Sequence, residues 1–281
     1  MKRLRKHKVS IVIALASVAI LCGLVAVWQV RNHAPLAPAM LAPWPTNLSE
    51  PAVVTEAKPF EYLEVTDGCN PYYVGTCVNM RSGTSSTSPV VERLRTGVVL
   101  KVESTVTVDG HDWYKIKMDK DIRFPERVTS DWYVYADAVE LFNDVGDKNL
   151  TKGSATTTKN IHVNLSEEML YAYDGNELFM KVPVSTGLEY TPTPPGTFTV
   201  FRKTPSRYMQ GPLPGVSTQV YDLPGVPWNL YFTNEGAVIH GAYWHDHFGE
   251  PWSHGCVNLS PQNAKKLYMW ADIGTPVTVK N

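Results

Sequence analysis

One stretch of the 281-residue chain, Ile239 to Ser260, gathers Cys256, four of the eight histidines (His240, His245, His247 and His254) and the glycines Gly241, Gly249 and Gly255. A thiol becomes a strong nucleophile when a neighbouring imidazole or a row of backbone N–H groups favours its thiolate, so a cysteine set among histidines and glycines is where such activation is built. Cys256 is the expected nucleophile. Two imidazoles compete as its base: His254, two residues away, and His240, sixteen residues upstream at the end of the apolar run Ala237-Val238-Ile239. Residues at i and i−2 of an extended segment share a face, but a base that turns towards both sulfur and substrate usually arrives from another strand, which favours His240.

His240-Gly241, a spacer, and then Ser253-His254-Gly255-Cys256-Val257-Asn258 resembles the signature of the L,D-transpeptidase catalytic domain family, penicillin-insensitive cross-linkers of bacterial peptidoglycan. Pro183-Val184-Ser185-Thr186-Gly187 and Thr193-Pro194-Pro195-Gly196-Thr197-Phe198 resemble two further landmarks of that family, and the likeness runs from about Lys159 to the C-terminus. The resemblance implies Cys256 as nucleophile, His240 as base, the Gly241 carbonyl orienting the imidazole, and no metal or organic cofactor. It also implies attack on the tetrapeptide stem, release of D-Ala, transfer to a second stem amine, and acylation by carbapenems. The backbone N–H groups of His254, Gly255 and Cys256 are expected to face the developing oxyanion. Ser253 and Asn258 read as loop-fixing, and Tyr243 to Phe248, including Trp244, as a lid or wall over the donor peptide. His245-Asp246-His247 invites a metal reading, but a third protein ligand at recognisable spacing is missing.

Around this stretch the chain reads as mainly β. Ile161-His162-Val163-Asn164-Leu165 alternates, Met169–Tyr173 and Leu178–Val182 flank the turn Asp174-Gly175-Asn176, and Thr197–Phe201 and Thr275–Lys280 add strands to a β-sandwich-like catalytic domain. One short helix follows Cys256, with Ser260 as cap, Pro261 at its first position, the run Gln262 to Ala271 and Gly274 as stop. Its start is expected to favour negative charge near the sulfur. Between Phe60 and Phe142, short strands and the hairpin signal Asp109-Gly110 suggest a second unit. There Val78-Asn79-Met80-Arg81-Ser82-Gly83, Gly97 and Trp113-Tyr114-Lys115 resemble a bacterial SH3-type barrel, read either as a wall-binding module or as a spacer.

Apolar and aromatic residues make up 43% of the chain and charged ones 19%, which suits a folded β-rich protein, and a net charge of −1 points to no nucleic-acid partner. Lys2, Arg3, Arg5, Lys6 and Lys8 precede an uncharged run, Val9 to Val30, long enough to span a bilayer. The basic flank places the N-terminus in the cytoplasm and the rest outside, in periplasm or wall. A cleaved signal peptide with Ala37-Pro38-Ala39 at its site is the rival reading, and either one exports the remainder. Six prolines between His33 and Pro59 make a spacer reaching roughly 80 Å if fully extended. The expected organisation is therefore an anchor (1–32), a Pro-rich linker (33–59), an SH3-like domain (60–143), a polar linker (144–158) and the catalytic domain (159–281). Cys69 and Cys77 are expected to pair as a loop-closing disulfide, which leaves Cys256 unpaired in an oxidising compartment.

Other thiol-enzyme classes fit less well. Papain-like wall endopeptidases place their Cys before the His, and sortases require an Arg downstream of the Cys, which this chain lacks. Hydrolysis by the same site (an L,D-carboxypeptidase), attachment of a protein to the stem, and a non-catalytic wall-binding scaffold remain as alternatives.

Overall fold

The computed structural model describes residues 59–120, 122–151 and 157–281; the expected anchor and the Pro-rich linker, save Pro59, lie outside the described residues. No helix among the described residues is long and apolar enough to cross a membrane. Several strands show the period-2 burial that alternating sequence dictates, whereas the strands carrying His240 and Val257 to Leu259 are buried throughout. In β2 (Val78–Arg81), Val78 and Met80 point inward and Asn79 and Arg81 are partly exposed; in β9 (Lys159–Asn164), Ile161 and Val163 are buried.

A seven-stranded antiparallel sheet comes first. It comprises β1 (Phe60–Glu64), β2, β3 (Val90–Leu94), β4 (Val99–Val108), β5 (His111–Ile116), β6 (Tyr133–Tyr135) and β7 (Glu140–Asp144), in the order β3-β2-β6-β5-β4-β1-β7. Asp109 and Gly110 join β4 to β5 with φ of 51° and 75°, the left-handed pair a two-residue hairpin turn needs. The remaining chain forms two five-stranded sheets. One runs β11 (Glu177–Pro183), β10 (Met169–Asp174), β9, β17 (Pro276–Lys280), β12 (Gly196–Thr199). The other runs β16 (Val257–Leu259), β15 (Val238–Gly241), β14 (Ser217–Tyr231), β13 (Arg202–Leu213), β8 (Lys148–Asn149).

These two sheets share one core: Ile161, Val163, Leu170 and Val277 from the first meet Trp228, Leu230, Ile239, Val257 and Leu259 from the second. Each such side chain contributes roughly 1.5–3 kcal/mol when fully buried. The single α-helix among the described residues, α1 (Pro261–Trp270), adds Ala264, Leu267 and Tyr268 to that core. Ser260 caps its start by accepting from Asn263 N–H, and the buried Lys203 ammonium donates to the carbonyls of Tyr268 and Ala271 at its end, where cations are favoured. A three-residue strand separates Cys256 from this helix, about 10 Å of extended chain, so the helix start lies too far away to act on the sulfur as the sequence suggested.

Lys148–Asn149, which polar composition assigns to a linker, is instead a strand: it pairs with Arg202 and Lys203 at the edge of β13, and Lys148 Nζ bonds Asp144 at 3.0 Å. The seven-stranded sheet and the sandwich form one compact unit. Tyr62 and Val99 enter the sandwich core, while Val226 and Tyr243 enter the core of the seven-stranded sheet. Gly225 marks their close approach: its φ is +68° and a Cβ there would sit 2.6 Å from Val99 O.

Cys69 and Cys77 are joined by a disulfide. The loop they close reaches the Ile239–Ser260 stretch. Tyr72 OH donates to the Asp246 carboxylate, and the Arg95 guanidinium lies between the rings of Tyr73 (4.6 Å) and Tyr243 (4.8 Å).

Candidate active site

Two parallel strands place the reacting pair. The register Ile239↔Val257, His240↔Asn258, Gly241↔Leu259 sends Ile239 and Val257 into the sandwich core. Alternation then turns His240, Asn258 and Cys256, two residues before Asn258, to the opposite face. Both Cys256 and His240 line a cleft there, with Trp244, Trp252, Ser253 and His254 on its walls.

His240 is buried, and its Nδ1 lies 3.1 Å from Gly241 O. A carbonyl only accepts, so Nδ1 carries the ring proton, and Nε2, buried with no hydrogen-bond partner among the described residues, is left as the acceptor. Burial pushes the imidazole down to about 4; the Gly241 carbonyl opposes this, and the charges of Arg207 and His245 add to it. The Cys256 thiol is pushed up by burial, against a smaller opposite effect of the Val238 main chain and the Arg207 charge, and Sγ sits 3.9 Å from Gly236 O. The resting pair is therefore a neutral thiol and a neutral imidazole lining the same cleft, the imidazole free to act as general base when a substrate carbonyl arrives.

Gly241 has no room for a side chain: a Cβ would meet Pro227 Cγ at 2.8 Å, Pro261 Cα at 3.1 Å and Ala264 Cβ at 3.3 Å. Gly241→Ala is expected to destabilise the fold by about 1–3 kcal/mol and to displace the carbonyl that fixes the base. A thermal melt showing wild-type stability would contradict that packing.

The turn before Cys256 is held from three sides. Ser253 Oγ donates to Cys256 O at 2.6 Å and accepts from Gly255 N–H at 3.1 Å. Gly255 takes φ of +109°, a conformation that favours glycine. Residues 184–188 run beside the turn: Ser185 and Asn258 exchange both backbone bonds at 2.9 Å, and Thr186 O accepts from Trp252 N–H and Ser253 N–H. Behind Thr186 stands the buried Glu168, whose carboxylate accepts Thr186 N–H at 2.7 Å and Thr186 Oγ1–H at 2.5 Å. The expected oxyanion donors divide accordingly. Gly255 N–H is taken by Ser253 Oγ, whereas the N–H groups of His254 and Cys256 carry no such partner among the described residues. They are the pair available to a developing oxyanion.

Residues 158–279 match the L,D-transpeptidase catalytic domain family. This part of the chain, somewhat less than half of it, is similar to L,D-transpeptidase catalytic domains. Among curated relatives, the probable L,D-transpeptidase 3 of Mycobacterium tuberculosis is 35% identical over 103 residues, covering 35% of this chain and 38% of that protein. L,D-transpeptidase 1 of the same species is 29% identical over 140 residues, covering 48% and 56%. The chain thus spans between about a third and somewhat more than half the length of these relatives. Among solved structures, an L,D-transpeptidase from Mycobacterium smegmatis is similar with TM-score 0.42 and 24% identity, over 61% of this chain and 91% of that one. L,D-transpeptidase 3 from M. tuberculosis with a faropenem-derived adduct is similar with TM-score 0.42 and 19% identity, over 64% and 98%.

Within the region that matches this family the segment between His240 and Cys256 is a pinned wall, not a lid. Tyr243 does not face the cleft: it is buried, donates to Pro224 O at 2.6 Å, and packs in the core of the seven-stranded sheet because strand alternation ends at Gly241. Trp244 does line the cleft, its ring 5.8 Å from that of His240. Ser185 Oγ donates to His247 O, and Gly249 N–H donates to Val184 O. His254 lies against the Tyr221 ring at 6.3 Å. The His245-Asp246-His247 set is engaged separately: His245 Nε2 meets the Asn258 amide at 2.9 Å, Asp246 accepts from Tyr72, and His247 meets Glu250 at 2.6 Å.

His245 is buried and, like His240, held down to about 4, chiefly by burial. An unfolded chain binds protons at both rings from about pH 6.5 downward, while the folded chain refuses them until about 4, so folding stability falls with acid across that window. The expected loss is on the order of 3 kcal/mol per imidazole. A melting temperature unchanged between pH 7 and 4.5 would contradict it.

Sequence reasoning missed Glu168, Arg207 and Tyr221, each brought to the site by strands far away along the chain. Thr186 and Thr193 lay within stretches already singled out. Their role as props of the Cys256 turn, with Thr193 Oγ1 donating to Cys256 O at 3.4 Å and accepting from Gly187 N–H at 2.9 Å, comes from the fold.

Proposed function

We propose that this chain is an exported L,D-transpeptidase that cross-links peptidoglycan through a Cys256 thioester. The observation that carries the reading is the placement, by paired parallel strands, of the family's cysteine and histidine on one face of a shared cleft. His240 Nε2 takes the thiol proton as sulfur attacks the carbonyl of the third stem residue. The oxyanion meets the N–H groups of His254 and Cys256, and the C–N bond breaks as the imidazolium protonates the departing D-Ala amine. A side-chain amine of a second stem then attacks the thioester, yielding a 3→3 cross-link and the free thiol. A β-lactam of the carbapenem class, presenting a strained carbonyl to the same sulfur, acylates Cys256 and stops the cycle.

The N-terminal tail (1–32) serves as membrane anchor, with residues 33–59 as spacer, and residues 60–143 act as an SH3-like module against the wall. The basic flank of the apolar run and the short antiparallel strands of the seven-stranded sheet support these assignments. Incubation with purified disaccharide-tetrapeptide, followed by mass analysis of products, tests the reaction. Cross-linked dimers are expected. Tripeptide alone means that water is the acceptor, and no conversion, with retention on purified peptidoglycan, means a wall-binding scaffold.

A further inference from the structure

The cleft that holds Cys256 also holds an uncommitted guanidinium. Arg207, on β13, is partly exposed and lines the cleft together with Arg123, Tyr221 and one carboxylate, that of Glu235. Other arginines of this region are paired: Arg127 with Asp222 at 3.1 Å and Arg202 with Asp147 at 2.8 Å. No carboxylate among the described residues lies within ion-pair distance of Arg207, although the Asp119 carboxyl feels its charge; its guanidinium stands 5.6 Å from the Tyr231 ring. It shares the cleft with His240, Cys256 and Tyr221, and its positive charge bears on all three.

A cation in that place disfavours the imidazolium that His240 must become. An anion bound against it removes that penalty, and it does so only when substrate is present. Guanidinium is also the side chain whose donors match a carboxylate in bidentate fashion. In an acyl transfer at the penultimate residue of a peptide, the terminal carboxylate lies one residue, about 3.8 Å along the chain, beyond the attacked carbonyl. We infer that Arg207 is a specificity residue of this cleft: its guanidinium holds the terminal carboxylate of the donor's leaving residue, and so selects donors that end in a free acid one residue past the scissile bond. The inference rests on the acyl-transfer reading and deepens it. It sets the leaving residue across Tyr221 and the β13–β14 side of the cleft.

The test compares disaccharide-tetrapeptide donors bearing a free terminal carboxylate or its carboxamide, on the full chain and on Arg207→Gln and Arg207→Lys. For the wild type, amidation is expected to lower kcat/KM by about 10- to 100-fold, the range for a hydrogen bond to a charged group. Arg207→Gln should lower the acid donor by a similar factor and should not lower the amide donor, for which the cation's penalty on the imidazolium is lifted, while Arg207→Lys should restore part of the acid preference. Equal losses on both donors in Arg207→Gln, or a wild type indifferent to amidation, would overturn the assignment. Calorimetric binding of the two donors to Cys256→Ala, with and without Arg207→Gln, gives the same comparison without turnover. Acid-selective binding lost with Arg207 upholds the carboxylate site even if transfer fails, and non-selective binding refutes it even if transfer succeeds.

Discussion

Cys256→Ala should abolish transfer and D-Ala release, by about 10⁴-fold or more in turnover, while leaving the melting temperature and near-ultraviolet circular dichroism unchanged. The side chain is partly exposed at the cleft, its sulfur 3.9 Å from Gly236 O, so its loss opens no sealed core cavity. Cys256→Ser should be nearly as inactive. A hydroxyl needs a stronger base than a thiol, and an imidazole held down to about 4 is a weak one. Measurable cross-linking by Cys256→Ala would mean that another nucleophile does the chemistry.

The second large effect is on the base. His240→Gln keeps a polar group of similar reach on β15 but removes the proton acceptor, and a fall of about 10²–10⁴-fold in turnover is expected. The pH dependence distinguishes a neutral resting pair from a preformed thiolate and imidazolium. With the imidazole neutral down to about 4 and the thiol raised by burial, alkylation by iodoacetamide, which reads thiolate, should keep rising with pH through 8 and 9. Transfer should lose its base only as pH falls towards about 4. An alkylation rate already flat near pH 6 would show an ion pair and overturn this description of the resting site.

Much of the site was legible because its determinants are local. The spacing of His240 and Cys256 around a hydrophilic stretch, the capping pair Ser260-Pro261, and Asp109-Gly110 between alternating runs each report on neighbours a few residues away. The longest strands were not legible. β13 and β14 contain Pro205, Pro212, Pro224 and Pro227 with Gly211 and Gly225, a composition that reads as loop. The fold accommodates it with register shifts after Arg207 and Gly211. Prolines fit a ladder where no N–H is required of them, and that depends on the partner strand, not on the local sequence. Because those strands were unseen, so were Arg207 and Tyr221. Glu168 was invisible for a related reason: its partner Thr186 lies beyond an entire β-hairpin, and its function is to hold the backbone that in turn holds Ser253. Tyr243 misled because it follows the last residue of β15, where alternation no longer predicts which side a ring takes.

The thioester itself is the most direct test of the account. Full-length protein mixed with disaccharide-tetrapeptide, quenched in acid within the first turnovers and weighed intact, should carry one added acyl group equal to the donor less D-Ala. Peptide mapping should place that group on Cys256, with one D-Ala freed per adduct. Release of D-Ala with no covalent species at any quench time and no loss of rate on alkylation of Cys256, or an adduct mapped to any other residue, would contradict it.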